Sequence, residues 1–476
     1  MRFLASLFTS SFCFLLATSS TIQAEEYSPL SNLPDGSRSS IWVEDLQNQT
    51  SWQTLAQNTR FFPPASTLKL ATALAAKLEL EDDFAFSTEL LSNGRDISIR
   101  FSGDPTLKTA HLKQLLEAYK QQNGANIRGD LWLDNSVFTG YERAVGWPWD
   151  ILGVCYSAPS SAITLDENCA QASIYTLADG NTRVYVPEQY PIHVTTNAKT
   201  VSKAIQQSNH CDLELLTGDN NQYQLQGCLV ERDKPLPLKF AIQDSTQYTS
   251  RTLYTLLRQL KIELGGEIKI GVMPNKANVI ASHSSATLPE LLDTMLKDSD
   301  NLIADNLTKA IGARFYLQPG SFANGTEAVK QILYSKAGID LSRAQLADGS
   351  GLSRNNRINP MDMMSILKYI WQHDKELGLV ALMPKSGESG TLKYRQSMRS
   401  DPVKGQIVAK SGSLYGSYNM AGFVLDQNGQ PSAAFIQFIT DYYPDKSEES
   451  GNVAPITRFE REFYRDLVEF TQVKHN

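Results

Sequence analysis

Ser66-Thr67-Leu68-Lys69 sets a hydroxyl and an amine three positions apart. On a helix, positions i and i+3 share a face, so these two groups can meet. A serine hydroxyl is a poor nucleophile until a base takes its proton. A lysine that is partly desolvated beside other cations is neutral often enough to be that base. A helix N-terminus adds a positive field that favours the developing alkoxide. The spacing alone is weak evidence, because Ser365-Ile366-Leu367-Lys368 matches it as well, inside an ordinary helix with no preceding proline loop, and reads as a surface coincidence. A second element is Ser299-Asp300-Asn301, an S-D-N run between two expected helices; Ser353–Asn355, Ser417–Asn419 and Ser450–Asn452 share only the looser S-x-N pattern. A third is Lys410-Ser411-Gly412 at the end of an expected strand, against a decoy, Lys385-Ser386-Gly387, in the loop after Met383-Pro384. Each motif alone is more often accident than site. Together they stand in one order, each in a distinct setting: at the start of a buried helix, between two helices, and at a strand end.

These residues need elements to hold them. Ser40–Leu46 alternates as a strand, and Ser51–Leu55 reads as a second. After Pro63-Pro64, Ser66–Leu80 predicts a helix rich in Leu and Ala on all sides, hence buried at the centre of a domain. Asp96–Phe101, His111–Gln122 and Ile127–Leu133 predict a βαβ-like unit, Ala172–Ala241 a β-rich stretch, and Thr252–Leu264 a helix stopped by Gly265-Gly266. This middle third holds none of the three motifs and reads as an insertion. Helices are then expected at Thr287–Lys297, Asn301–Gly312, Glu327–Ala337 and Pro360–His373. Gln406–Ser411 and Tyr418–Leu425 predict a hairpin, Ala433–Thr440 a third strand, and Ile456–Phe470 a last helix with Phe459, Phe463, Leu467 and Phe470 on one face as a core contact. Strands at both ends of the chain with helices between them predict one α/β domain whose sheet joins the two termini.

The chain has 476 residues, and chains beyond roughly 250–300 residues usually split into domains. A net charge of −7 argues against nucleic acid as the main partner, since phosphate binding needs a concentrated basic face. Residues 1–24 read as a transport signal: Arg2 is its charge, Phe3–Ala17 its short apolar run, and Ile22-Gln23-Ala24 its expected cleavage site. No segment approaches the ~20 apolar residues that span a bilayer, so no integral membrane span is expected. Cys13 falls in the signal. That leaves Cys155, Cys169, Cys211 and Cys228, which permit three pairings; the two short loops Cys155–Cys169 and Cys211–Cys228 are the simplest. Both lie in or beside the insertion, so their reduction is expected to loosen that region more than the surroundings of Ser66. There is no C-x-x-C pair, and the six histidines are scattered without ligand spacing, so neither a metal nor another cofactor is expected.

The combination S-x-x-K, S-D-N and K-T-G is shared by β-lactamases and penicillin-binding proteins; Ser411 here replaces the usual Thr and keeps the hydroxyl. Further segments carry the likeness: Pro64-Ala65-Ser66-Thr67, Phe101-Ser102-Gly103-Asp104-Pro105-Thr106-Leu107, Gly146-Trp147-Pro148-Trp149, Asp348-Gly349-Ser350-Gly351-Leu352-Ser353-Arg354 and Lys410-Ser411-Gly412-Ser413-Leu414. On these residues the chain resembles, over essentially its whole mature length, the low-molecular-mass class C penicillin-binding proteins of the penicillin-binding protein 4 type, D-alanyl-D-alanine carboxypeptidases and endopeptidases. The resemblance implies a mixed α/β (α+β) serine β-lactamase/transpeptidase-like domain, residues 25–83 and 281–476, split by a β-rich insertion, residues 84–280, made of two small domains.

The resemblance also implies roles. Ser66 attacks the carbonyl of a D-Ala peptide bond with Lys69 as base, Ser299 and Asn301 complete the proton path, and Lys410 with Ser411 binds the terminal carboxylate beside Gly412. The backbone N–H groups of Ser66 and Ser413 form the oxyanion hole. In such proteins an acid after G-W-P-W, an aromatic after the following Cys and the Arg of G-L-S-R bind the diaminopimelate end. Tyr156 and Arg354 fit; Asp150 stands one place early with Ile151 at the expected acid, and Tyr415 stands where a Gln can occur. The implied partners are peptidoglycan stem peptides and cross-links and β-lactam antibiotics, in the periplasm; a homodimer is compatible with the reading. Two rivals stand beside it. A class A serine β-lactamase is shorter and needs a glutamate for deacylation, and a class C enzyme carries Tyr-x-Asn where Ser299 stands. A non-catalytic penicillin-fold adaptor is the other, against which three intact motifs argue.

Overall fold

The structure, a computed structural model, describes residues 27–47, 51–53, 59–445 and 453–472. The expected transport signal over 1–24, with Cys13, lies outside the described residues, as does Leu55 at the end of the second expected strand.

Strands from the two ends of the chain form one five-stranded antiparallel sheet, in the order Ile407–Leu414, Ser417–Leu425, Pro431–Thr440, Arg38–Asp45, Ser51–Gln53. Arg38 stands opposite Thr440 and Asp45 opposite Ala433. Both faces are buried, and the two-residue period of the strand Pro431–Thr440 sorts its side chains between them. Phe435 and Ile439 pack with Phe459, Phe463 and Leu467 of the terminal helix Pro455–Gln472, while Ala434, Ile436 and Phe438 pack with the helical layer opposite. The expected terminal helix and its apolar stripe are therefore core.

The helix Lys69–Glu79 runs through the middle of that helical layer, with residues 69–76 all buried. Around it stand Leu288–Lys297, Asn301–Tyr316, Phe322–Ala337 and Pro360–Gln372, which share one apolar cluster with it. A helix that is apolar on every side has to be enclosed in this way.

The middle of the chain builds two further apolar clusters. In one, a sheet ordered Ile268–Ile270, Leu131–Asp134, Ile97–Arg100, Ser87–Ser92, Asn278–Ser284 packs against the helices Thr109–Asn123 and Ser245–Leu260. Ile97–Arg100 and Leu131–Asp134 pair in parallel, as the βαβ expectation requires. The expected strand Ile127–Leu133 is broken at Arg128–Asp130, where Gly129 N donates to Arg95 O (2.9 Å) and Asp130 N to Asp96 Oδ1 (2.8 Å). The helix expected at Thr252–Leu264 starts at Ser245, because Asp244 caps it by accepting from Gln247 N (2.8 Å). It ends at Leu260 on Lys261 in the left-handed region, and Glu263–Leu264 turns into a short strand beside Asn126–Ile127, so Gly265-Gly266 is not its stop. The second cluster, with Ile174, Tyr223, Leu225 and Phe240, lies between small sheets within residues 169–241. Both expected disulfides are present, Cys155–Cys169 and Cys211–Cys228. Among the described residues no helix is long and apolar enough to cross a membrane.

Candidate active site

Ser66 sits in a single 3-10 turn, Ala65–Leu68, just ahead of the α-helix, so the expected helix begins one turn late. Ala65 before it has φ +48°, a region that costs a non-glycine residue roughly 1–3 kcal/mol. Two neighbouring chains enforce the turn. A Cβ on Gly412 would lie 2.8 Å from Pro64 O and 2.9 Å from the backbone N of both Ser66 and Thr67. A Cβ on Gly351 (φ +84°) would lie 1.9 Å from Ala65 O. The K-S-G strand and the D-G-S-G loop thus press on the serine turn from two sides, and only glycine permits either approach. Asn419 Nδ2 donates to Pro63 O (2.7 Å) and holds the loop leading in.

Lys69 is fully buried. Its Nζ donates to Ser66 Oγ (2.9 Å), Asn301 Oδ1 (2.6 Å) and the Ser350 carbonyl (2.7 Å), which uses all three ammonium hydrogens. Burial pushes its pKa down to about 8, against the carboxylates of Asp305, Asp348 and Asp300. When it loses a proton, the lone pair needs a donor. An amide oxygen and a carbonyl have no hydrogen to give; of the three partners, only Ser66 does. The same contacts that hold the ammonium therefore aim the free amine at the nucleophile.

Asn301 and Ser299 come from one cap. Ser299 has φ +61°, and Asp300 Oδ1 accepts from Ile303 N (2.8 Å) as N-cap of the helix Asn301–Tyr316. The middle residue of S-D-N thus builds the helix end, while its flanking residues face the site. One turn on, Asp305 is buried and accepts from Gly349 N (3.0 Å) and Ser350 N (2.9 Å), which fixes the loop whose carbonyl meets Lys69. Asp348 accepts from Ser353 N (2.6 Å), Asn356 Nδ2 (2.8 Å) and Trp147 Nε1 (2.9 Å), tying the G-W-P-W segment to the same loop.

Lys410 is also fully buried and donates to Ser299 Oγ (2.9 Å) and Ser411 O (2.8 Å). Burial, and then the charge of Lys69, push its pKa well below that of an ordinary lysine. The Ser411 and Thr391 hydroxyls bond to each other (2.8 Å). Ser66, Ser299, Asn301 and Ser413 open onto a cleft of about 750 Å³ whose outer wall includes Asp150, Ile151, Tyr156, Arg354 and Tyr415. Asp150, though one place early in sequence, reaches the wall together with Tyr156 and Arg354. The Arg354 guanidinium stands 6.0 Å from the centre of the Tyr415 ring, and among the described residues it forms no ion pair.

The structure thus gathers the five residues into two adjoining hydrogen-bonded groups, Lys69 with Ser66 and Asn301, and Lys410 with Ser299, and leaves both decoys outside them. Ser365 Oγ bonds its own helix at Met361 O, and Lys385 pairs with Glu388. Sequence reading missed Asp305, Thr391 and the Ser350 carbonyl; the D-G-S-G run was visible but carried no assigned role. The Cys211–Cys228 bridge stands apart from the site, but Cys155 directly precedes Tyr156, whose carbonyl accepts from Asn301 Nδ2 (2.7 Å). The first bridge adjoins the catalytic set because the loop after G-W-P-W folds back over the cleft.

The profile of the D-Ala-D-Ala carboxypeptidase 3 (S13) family matches residues 27–463. The D-alanyl-D-alanine carboxypeptidase DacB of Haemophilus influenzae is 38% identical over 488 aligned residues, covering 99% of this chain and 100% of the relative. The crystal structure of penicillin binding protein 4 from Haemophilus influenzae is similar with a TM-score of 0.85 at 37% identity, over 93% of this chain and 98% of that one. The same protein complexed with a β-lactam gives 0.81 at 36% identity, with the same shares covered.

Proposed function

The chain belongs to the D-Ala-D-Ala carboxypeptidase 3 (S13) family, and from that footing we propose that it hydrolyses D-alanyl peptide bonds of peptidoglycan through an acyl-enzyme at Ser66. It is a serine-type D-Ala-D-Ala carboxypeptidase. The observation that carries the residue assignment is the environment of Lys69, a buried amine with three partners of which only Ser66 has a hydrogen to give.

The steps follow from the contacts. Lys69, as free amine, takes the Ser66 proton while Oγ attacks the carbonyl carbon of the penultimate D-Ala. The oxyanion forms beside the backbone N–H groups of Ser66 and Ser413, which the close approach at Gly412 brings together. Lys410 and Ser411 hold the terminal carboxylate, and Lys410 polarises Ser299 Oγ at 2.9 Å, so Ser299 can pass a proton to the leaving amine. Lys69 passes the proton it took from Ser66 to Ser299, and D-alanine departs. Water then attacks the ester. Lys69, again a free amine, takes the proton of the water and gives it to Ser66 Oγ as the ester bond breaks, and Ser66 is restored. A β-lactam acylates the same oxygen, but its leaving nitrogen stays tethered and the ester persists.

A cross-link is also a D-alanyl amide, so the same cleft serves as a D,D-endopeptidase site. At its outer wall Arg354, which forms no ion pair among the described residues, suits the free carboxylate of a diaminopimelate side chain, and Asp150 its amine. The two disulfides support export to the periplasm, an oxidising compartment. The separate apolar clusters of the middle third support a catalytic domain of residues 25–83 and 281–476 interrupted by 84–280. No glutamate lines the cleft among the described residues, which disfavours a class A β-lactamase. Fluorescent penicillin and a pentapeptide ending in D-Ala-D-Ala test the reading. The enzyme forms a lasting adduct and releases D-alanine; an adaptor does neither, and a lactamase destroys the drug quickly.

A further inference from the structure

Asn301 has two different ends, and the site works with only one of its two orientations. Its Oδ1 accepts from Lys69 Nζ (2.6 Å), and its Nδ2 donates to the backbone carbonyl of Tyr156 (2.7 Å). A half-turn of the amide would bring Nδ2 to Lys69 and set Oδ1 against the Tyr156 oxygen. A carbonyl oxygen accepts only, so the second arrangement is repulsive there. The Tyr156 carbonyl therefore selects the orientation that leaves Ser66 as the sole hydrogen donor among the partners of Lys69. In the flipped orientation the free Lys69 amine would accept from Asn301 instead, and the base would be occupied by a spectator.

That carbonyl belongs to the middle part of the chain. Tyr156 lies, more than half exposed, in the 3-10 turn Cys155–Ser157, where the buried Ser157 Oγ donates to Val154 O (2.8 Å) and to Ile151 O. Ser157 N donates to Val154 O (2.9 Å), Val154 forms a single bridge to Phe240, and Ala241 N donates to Gly153 O (2.9 Å). The covalent anchor is Cys155–Cys169. Cys169 opens the strand Cys169–Thr176, which is paired over Cys169–Ile174 with Leu236–Ala241.

We propose that the Cys155–Cys169 disulfide is a positioning element of the active site: it fixes the Tyr156 carbonyl that orients Asn301, and so keeps the Lys69 amine available to Ser66. The inserted region is then part of the catalytic apparatus. This rests on Ser66 and Lys69 acting as read above, and it assigns no chemical step to the bridge itself.

The second disulfide supplies the control. Cys211–Cys228 closes a loop of similar length (sequence separation 17 against 14) in the same region and touches no residue of the catalytic set. Penicillin acylation is measured in single turnover across pH for the wild type, for Cys155→Ser/Cys169→Ser and for Cys211→Ser/Cys228→Ser, each checked for a cooperative melt well above the assay temperature. Opening the first bridge lowers the maximal acylation rate about 10- to 100-fold. It also moves the rising limb of the profile to lower pH, because an ammonium that loses the Oδ1 acceptor gives up its proton more readily. The second double variant melts earlier but keeps the wild-type rate and limb. If the first variant does not fold, the native oxidised protein is treated with dithiothreitol: the bridge gains two electrons and two protons to become two thiols, and the dithiol is oxidised to its cyclic disulfide. Mass spectrometry after alkylation then shows which bridge has opened. A wild-type rate and limb with Cys155–Cys169 open would overturn the proposal, as would equal losses from both bridges. Absence of an adduct at Ser66 in the oxidised wild type would overturn the underlying reading as well, and so identifies that failure.

Discussion

Ser66-x-x-Lys69 and Ser365-x-x-Lys368 place the same two side chains at the same spacing, one pair in the 3-10 turn leading into a helix and the other within a second helix of the same apolar cluster. Lys69 is fully buried with three hydrogen-bond partners, one of them able to return a hydrogen. Lys368 reaches half-exposed across to Glu44 (2.6 Å), and the exposed Ser365 hydroxyl bonds the preceding turn of its own helix. The spacing brings a hydroxyl and an amine onto one face. Reactivity comes from what surrounds them: desolvation lowers the cost of a neutral amine, and acceptor-only neighbours decide where its lone pair points. Lys410 and Lys385 repeat the lesson, one enclosed beside Ser299 and the other in a surface pair with Glu388.

The strongest way to break this contrast is to delete each hydroxyl. Ser66→Ala should lose penicillin labelling and D-alanine release by about 10⁴-fold or more with an unchanged melt, whereas Ser365→Ala should be silent in both assays. A stable adduct on the Ser66 variant would reverse the assignment of the two copies. Next in size is Lys410→Ala. Loss of a hydrogen bond to a charged group costs roughly 1.5–3 kcal/mol, so kcat/KM for peptides with a free terminal carboxylate should fall about tenfold to a hundredfold. An amidated terminus should suffer less, and Lys385→Ala should not register; equal losses on both peptides would detach Lys410 from the carboxylate.

Titration sharpens the comparison. Deprotonation of Lys69 creates the base, so acylation should rise with pH through about 8, the value to which burial lowers this amine. Well below that midpoint the slope should be about tenfold per pH unit. A flat profile over that range would remove Lys69 from the role. The smallest effect belongs to Lys368→Met. The partly exposed pair with Glu44 is worth under about 1 kcal/mol, so urea unfolding should shift slightly while acylation stays at the wild-type rate.

The motif residues and the joining of the termini were readable from the sequence because both depend on side-chain type: a hydroxyl and an amine at helical spacing, and alternating apolar strands at each end. What escaped depends on the backbone or on distant partners. The Ser350 and Tyr156 carbonyls would be the same for any residue at those positions. Asp305 looks like an ordinary helical acid until the Gly349 and Ser350 amides are seen against it. Thr391 meets Ser411 only across a loop. The strands Ser87–Ser92 and Asn278–Ser284 went unremarked because they make their main contact with each other, on either side of a long excursion of the chain. The helix at Ser245 was placed late for the opposite reason: its cap, Asp244, is local, but its buried first turn is polar, with Ser245, Tyr248 and Thr249 facing inward.

The pairing of Arg38–Asp45 with Pro431–Thr440 also has a consequence in time. Strands so far apart in the chain cannot nucleate one another locally, and such non-local pairing is slow. The sheets of the middle third can close on contacts within their own stretch of chain. A polypeptide interrupted before Pro431 would already contain Ser66, Asn301 and Lys410, yet would lack the strand that seats the first strand beside the hairpin. Its motifs would be present and unassembled. An enzyme that hydrolyses peptidoglycan thereby acquires its activity only after residues 431–440 have joined the chain.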